Sequence, residues 1–319
     1  MKKITILDTS ICGTNLGDQI IMDAVNKILN EIFNGDFFIR LQTHDVINKL
    51  SYNYIQQSEY VMVGGTNLLS SNMNSYNQWK ISLWDSLFIK DIILMGVGWW
   101  RYQPKPNLYT KILYNKVLNK DFFHSVRDSY TEKQLKSIGI DNVINTSCPT
   151  MWSLTEEHCS NIPSKKSSFV LLTFTKYRQC PEYDFQIINL LKDEYKKVFF
   201  WIQQPEDFKY MKDMCGEDEQ IVYIKPTLKA LDKLLLECDV DYIGTRLHAG
   251  IRALQAKRRT LIISVDNRAT EIAKDTNLPT VSRENIEAIA NWINSNQKTV
   301  IKIPIGNISE WKNQFIPRI

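Results

Sequence analysis

Ile4-Thr5-Ile6-Leu7, then Asp8 to Asp18 with Gly13, Asn15 and Gly17, then Gln19 to Phe33: this opening stretch decides the fold. The first four residues are a short apolar run, the pattern of a buried strand. In the last part Ile20, Ile21, Ala24, Ile28 and Leu29 recur at helical spacing. Strand, glycine-bearing loop and helix in that order open a Rossmann-like domain.

The same rhythm continues outward. Strands are expected at Phe37 to Leu41, Tyr60 to Val63, Asp91 to Met95, Phe122 to Val126 and Val143-Ile144. Helices are expected at Lys111 to Leu118 and Thr131 to Ile138, the second stopping at Gly139. A polar, poorly periodic stretch, Thr155 to Ser168, reads as a linker. The alternation then restarts, with strands at Phe169 to Phe174, Lys197 to Ile202, Gln220 to Ile224, Asp241 to Gly244 and Thr260 to Val265. Helices fall at Tyr183 to Glu194, Lys209 to Cys215, Leu228 to Glu237, Leu247 to Gln255, Ala269 to Thr276 and Glu284 to Asn294. The expected class is α/β, with two Rossmann-like domains facing across a cleft in the glycosyltransferase-B manner. The expected boundaries are 1–154, a linker at 155–168, and 169–319.

Composition narrows the function. A net charge of +4 in 319 residues, with scattered Lys and Arg, does not argue for nucleic acid. The one dense basic cluster, Lys257-Arg258-Arg259, reads as a solvated loop. The six cysteines are widely spaced, with no CxxC and no histidine at zinc-finger distance, so reduced thiols are expected and no metal or cofactor is called for. The first residues are too polar for a signal sequence, and no run of about 18 apolar residues occurs, so no membrane span is expected. These features place the chain in the cytoplasm or, by peripheral contact, at the inner face of the membrane.

Ligands of open α/β sheets gather beyond the carboxyl ends of strands. Three turns there carry glycine: Gly13 to Asp18, Gly64-Gly65-Thr66-Asn67 and Gly96-Val97-Gly98. Asn15 and Asp18 can bond sugar hydroxyls, or Asp18 can cap the helix starting at Gln19. Arg127, after a strand, offers a planar fork to a carboxylate or phosphate, or pairs with Asp128. Gly244-Thr245-Arg246-Leu247-His248 turns from a strand into a helix, whose first amides favour an anion beside Arg246 and His248. A histidine there can move a proton; the bland alternative is a structural ring. His44, His124 and His158 lack such a setting and read as structural or surface groups. Trp79, Trp84, Trp99, Trp100 and Tyr102 either stack on sugar rings or fill the core and interfaces.

Taken in order, Asn15-Leu16-Gly17-Asp18, Val63-Gly64-Gly65, Gly96-Val97-Gly98, Ser125-Val126-Arg127-Asp128, Gly244-Thr245-Arg246-Leu247-His248 and Asp266 resemble the polysaccharide pyruvyl transferase family over most of the chain. The resemblance implies transfer of pyruvate from phosphoenolpyruvate to two hydroxyls of a sugar, as a ketal, without a cofactor. It implies donor contact by Arg127, Arg246, Leu247 and His248, with Arg127 and His248 catalytic. It implies an acceptor, lipid-linked, nucleotide-linked or polymeric, held by first-domain loops that carry Asn15, Asp18, Gly64, Gly65, Thr66 and Asn67. The chain departs from the family pattern at Cys148-Pro149, where Asp-Pro is usual, and at Thr66, where a third glycine is usual. It departs again at Lys257-Arg258-Arg259 for Gly-x-Pro, and at Arg268 for the lysine that commonly follows Asp266. Two other functions fit the same architecture: a nucleotide-sugar glycosyltransferase and a non-catalytic carbohydrate-binding protein.

Overall fold

The computed structural model describes residues 1–316. The chain alternates strands and helices from end to end. In order they are β1 (Lys3–Asp8), α1 (Leu16–Ile32), β2 (Phe37–Gln42), α2 (Lys49–Gln56), β3 (Tyr60–Gly64), β4 (Ile92–Met95), α3 (Leu108–Val117), β5 (His124–Val126), α4 (Ser129–Lys136) and β6 (Val143–Asn145). There follow α5 (Glu156–Ser160), β7 (Phe169–Thr173), α6 (Pro181–Glu194), β8 (Lys197–Trp201), α7 (Pro205–Cys215), β9 (Ile221–Ile224), α8 (Leu228–Glu237) and β10 (Val240–Gly244). The series closes with α9 (Leu247–Gln255), β11 (Thr260–Ser264), α10 (Asn267–Thr276), β12 (Thr280–Ser282), α11 (Ile286–Asn294) and α12 (Ile305–Asn313). No helix among the described residues is long and apolar enough to cross a membrane.

Two compact units result. One comprises Met1–Gly13, Ile21–Trp152 and the chain from Ile303 on; the other comprises Thr14–Ile20 and Ser153–Lys302. The sequence reading put all of residues 169–319 in the second domain and took residues 155–168 as a linker. Instead α12 lays Ile308 and Trp311 into the same core cluster as Ile4, Met62 and Phe33 of the first unit. Residues 156–160 form α5, capped by the Thr155 hydroxyl, and cluster with the second unit.

The first unit holds a four-stranded parallel sheet in the order β2-β1-β3-β4 and a two-stranded pair β5-β6. An isolated bridge between Val97 and Val126 joins the segment after β4 to β5. The six-stranded parallel sheet of the second unit runs β12-β11-β10-β7-β8-β9. Counted from β7, that is the doubly wound order in which the winding reverses between the first and fourth strands. The reversal falls between β7 and β10, and there such sheets open a crevice for ligands.

His124 is a structural group of the first unit. Its Nδ1 accepts from the Leu94 amide at 3.2 Å, so Nε2 carries the proton and donates to Asn119 O at 2.9 Å. Burial pushes the ring from 6.5 down to about 4, against a smaller upward pull from the Asn119 carbonyl. Between those values the unfolded chain binds the extra proton and the folded chain does not. Stability from this group is therefore complete above 6.5 and is lost as pH falls toward 4, a change of about 3 kcal/mol. Denaturant unfolding of the first unit from pH 7 to pH 4 is expected to show this slope, and His124→Asn to flatten it. An equal slope in the variant would assign the titration elsewhere.

Of the basic cluster expected to be a solvated loop, Lys257 is exposed, Arg258 is half-buried and Arg259 is not solvated. Arg259 is buried, donating to Asp241 Oδ2 at 2.8 Å beside the Tyr195 hydroxyl, which reaches the same oxygen at 2.7 Å. Lys257 adopts a left-handed φ of 58° and ends α9, with its amide bonded to Leu254 O and the Arg258 amide to Ala253 O.

Candidate active site

At the reversal point in the second unit, Gly244 ends β10 against Thr173 of β7. A Cβ at Gly244 would lie 2.7 Å from the Thr173 carbonyl oxygen, so a side chain there collides with backbone. The turn that follows is tied from below. The buried Tyr242 hydroxyl donates to Arg246 O at 2.7 Å and accepts from Thr173 Oγ1 at 2.6 Å, its single proton fixing the direction of both bonds. Thr245 Oγ1 donates to Thr175 Oγ1 at 2.9 Å. Arg246 is the N-cap of α9, and His248 stands in the first turn, 7 % exposed. The expected strand, glycine turn and helix are all present, and Leu247 is buried with its helix.

The Arg246 side chain folds away from its own helix. Nε donates to Phe174 O at 3.1 Å, and Nη2 reaches Gln204 Oε1 at 2.7 Å and Asp207 Oδ1 at 2.6 Å. Asp207 is buried, and its other oxygen accepts from the Gln204 amide in a capping box that starts α7. Neither Gln204 nor Asp207 was picked out from sequence. The legible signal was Gln204-Pro205 with Asp207 two residues on, a helix start four residues before the one expected at Lys209. Arg268 behaves alike. Its Nε lies 2.9 Å from Asp266 Oδ2, and its Nη2 donates to the Tyr177 hydroxyl at 2.8 Å.

The Asn15 loop also clusters with the second unit, rather than with the first as expected. Gln203, in the connection after β8, donates to Asn15 Oδ1 at 2.8 Å and accepts the Leu16 amide on its carbonyl at 3.2 Å. Asn15 Oδ1 also accepts from the Gly17 amide at 3.0 Å, so Asn15 and not Asp18 caps α1. Asp18 sits in the first turn, held by Asn15 Nδ2 at 3.0 Å.

In the first unit Arg127 is 1 % exposed. Its Nε donates to Asp128 Oδ2 at 3.1 Å, Nη2 lies 3.0 Å from the same oxygen, and Nη1 donates to Asn67 Oδ1. A Cβ on Gly98 would sit 2.2 Å from Cζ of Arg127, so the guanidinium lies flat on that glycine. Asp128 in turn caps α4, accepting the Thr131 amide at 2.8 Å. The ion pair with Asp128, one of the two readings open from sequence, is formed, and the buried Nη2 meets Asp128 as an ion pair without a hydrogen bond. Arg127 thereby ties together the segments that follow β3, β4 and β5.

Gly64 and Gly65 are explained by packing. A Cβ at Gly65, whose φ is +63°, would meet Ile21 Cγ2 of α1 at 2.1 Å, and one at Gly64 would meet Met22 Sδ at 2.9 Å. Thr66 takes a left-handed φ of 54°, a conformation that costs a β-branched residue energy. Cys148, in place of the usual aspartate, is buried, and burial pushes its thiol up. It therefore adds no negative charge near Arg127. Trp79 and Trp99 are core residues, whereas Trp84 and Tyr102 are exposed and Trp100 stacks between Tyr76 and the Arg101 guanidinium. No group of three or more His, Cys, Asp and Glu side chains able to hold a metal occurs among the described residues.

The family model described as polysaccharide pyruvyl transferase matches residues 15–267. The chain belongs to that family. Among solved structures, UDP-GlcNAc 2-epimerase of Methanocaldococcus jannaschii, in complex with UDP-GlcNAc and UDP, aligns with a TM-score of 0.58 at 12 % identity, covering 98 % of each chain. The S. aureus MnaA–UDP structure aligns at 0.52 with 14 % identity, over 93 % of this chain and 92 % of that one. A putative UDP-N-acetylglucosamine 2-epimerase of Listeria monocytogenes gives 0.52 at 12 % identity, over 98 % and 96 %. These likenesses give this pyruvyl transferase family member the mixed α/β, glycosyltransferase-B class of fold. No curated protein matches the chain.

Proposed function

We propose that the protein moves a pyruvyl group from phosphoenolpyruvate to two hydroxyls of one sugar in a cell-surface polysaccharide or its precursor. The observation that carries this reading is His248 in the first turn of α9, with Arg246 before it, at the reversal point of the six-stranded sheet. Anions are favoured there by the first helix amides and by the helix dipole. The donor brings a phosphate and a carboxylate.

Protonated His248 gives its proton to the methylene carbon of the donor, and the positive charge passes to the carbon that bears the phosphate oxygen. A sugar hydroxyl adds to that carbon and returns a proton to His248. The carbon–oxygen bond to phosphate then breaks, phosphate leaves with the bonding pair, and the second hydroxyl adds and loses its proton to the departing phosphate. One donor and one diol become one ketal and one phosphate, with no change in oxidation state. Asp18, held by Asn15, and Asp266, paired with Arg268, are the carboxylates that offset charge at the ketal carbon. Arg127 acts within the first unit, holding Asn67 in the segment after β3 against the segments after β4 and β5.

Incubation with phosphoenolpyruvate and a panel of free, lipid-linked and nucleotide-linked sugars tests this reading. Phosphate release that requires an acceptor, with a pyruvyl ketal found by mass spectrometry, is the expected result. Consumption of a nucleotide sugar without phosphoenolpyruvate would replace it with glycosyl transfer.

A further inference from the structure

Tyr177 was not singled out by sequence, and the reaction above gives it no task. It lies in the connection that follows β7 and is 55 % exposed. Its hydroxyl accepts from Arg268 Nη2 at 2.8 Å, and its ring centroid lies 5.3 Å from Cζ of Arg246. The three residues follow β7, β10 and β11, which are neighbours in the sheet. One phenol thus joins the arginine of the Arg-Leu-His turn to the arginine that stands where the family commonly has lysine.

Hydrogen-bond direction bears on what this cluster receives. Arg246 and Arg268 flank Tyr177, each paired with a carboxylate, Asp207 and Asp266. The Tyr177 oxygen is already an acceptor, so its own proton is the group it offers. Both guanidiniums are held by carboxylates and so are oriented before any ligand arrives, which lowers the cost of ordering them.

We infer that Tyr177 and Arg268, together with Arg246, receive the phosphate group of the donor, the phenol donating to a phosphate oxygen. This rests on the pyruvyl-transfer reading. A lysine in place of Arg268 would lack the planar fork that spans Asp266 and the phenol together.

Steady-state kinetics of Tyr177→Phe and Arg268→Lys test it, with phosphoenolpyruvate and inorganic phosphate as the probes. Tyr177→Phe is expected to raise KM for phosphoenolpyruvate about tenfold, the loss of one hydrogen bond to a charged group at a partly exposed site. It should leave kcat and the acceptor KM within about twofold, the mark of lost ground-state binding. Product inhibition by inorganic phosphate should weaken by the same factor. The double variant should fall short of the product of the single effects, because both remove one contact. An unchanged KM for phosphoenolpyruvate in Tyr177→Phe, or an effect on the acceptor KM alone, would overturn the inference while leaving pyruvyl transfer in place. A wild-type protein that neither turns over phosphoenolpyruvate nor binds it in calorimetry would overturn the reading beneath it.

Discussion

Replacing His248 with alanine lowers pyruvyl transfer by about a hundredfold or more, the usual contribution of a positioned acid. The fold should survive the change. His248 lies on α9 among Leu247, Ala249, Ile251 and Leu254, which remain to pack the helix, and alanine is a strong helix former. The turn before it is fixed by Tyr242 and Thr173, neither of which needs the imidazole. His248→Gln fills similar space and hydrogen-bonds without titrating near neutrality. It separates packing from proton transfer: if the ring only fills space, glutamine restores the rate, and if it moves a proton, glutamine does not. Phosphate release near the wild-type rate in the alanine variant would remove His248 from the chemistry.

Arg127→Ala is expected to destabilise the first unit by about 3–5 kcal/mol, because it strands the buried Asp128 carboxylate without its cation. The loss is larger than that of a surface pair, since both partners are 1 % exposed and Asn67 loses its partner too. Arg127→Lys keeps the charge but cannot lie flat on Gly98 while meeting Asp128 and Asn67 together, so it should recover only part of the stability. Denaturant titration measures both. A stable Arg127→Ala variant with a raised KM for phosphoenolpyruvate would show instead that this guanidinium leaves Asp128 to grip the donor.

The most strongly patterned elements were legible with their boundaries. Leu228–Glu237 and Leu247–Gln255 are helices over the residues expected, because both carry a clear apolar stripe and plain stops. The Gly244 turn was legible because glycine after a strand and before a helix has few other uses. What escaped depended on contacts distant in sequence. Short α2 and α12 bury only Ser51 and Ile55, and Ile308 and Trp311, too few to show a period. Arg259 read as solvated because nothing local announces Asp241, and Gly64 and Gly65 read as ligand-facing because the approach of α1 cannot be seen in one segment. Arg127 and Arg246 were legible as positions, but the Asn67 and Asp207 that hold them were not, for the same reason. Tyr177 is an ordinary tyrosine until Arg268, ninety-one residues later, reaches its hydroxyl.

The return of α12 to the first unit sets an order on biosynthesis. Trp311 stacks edge-on against Trp152 and Phe315, and Phe315 packs against Phe33, Tyr60 and Phe122. A ribosome releases those closing aromatics only after it has made every residue of the second unit. The half of the molecule translated first is therefore sealed last, and until then it exposes an apolar seam to chaperones and to neighbouring nascent chains.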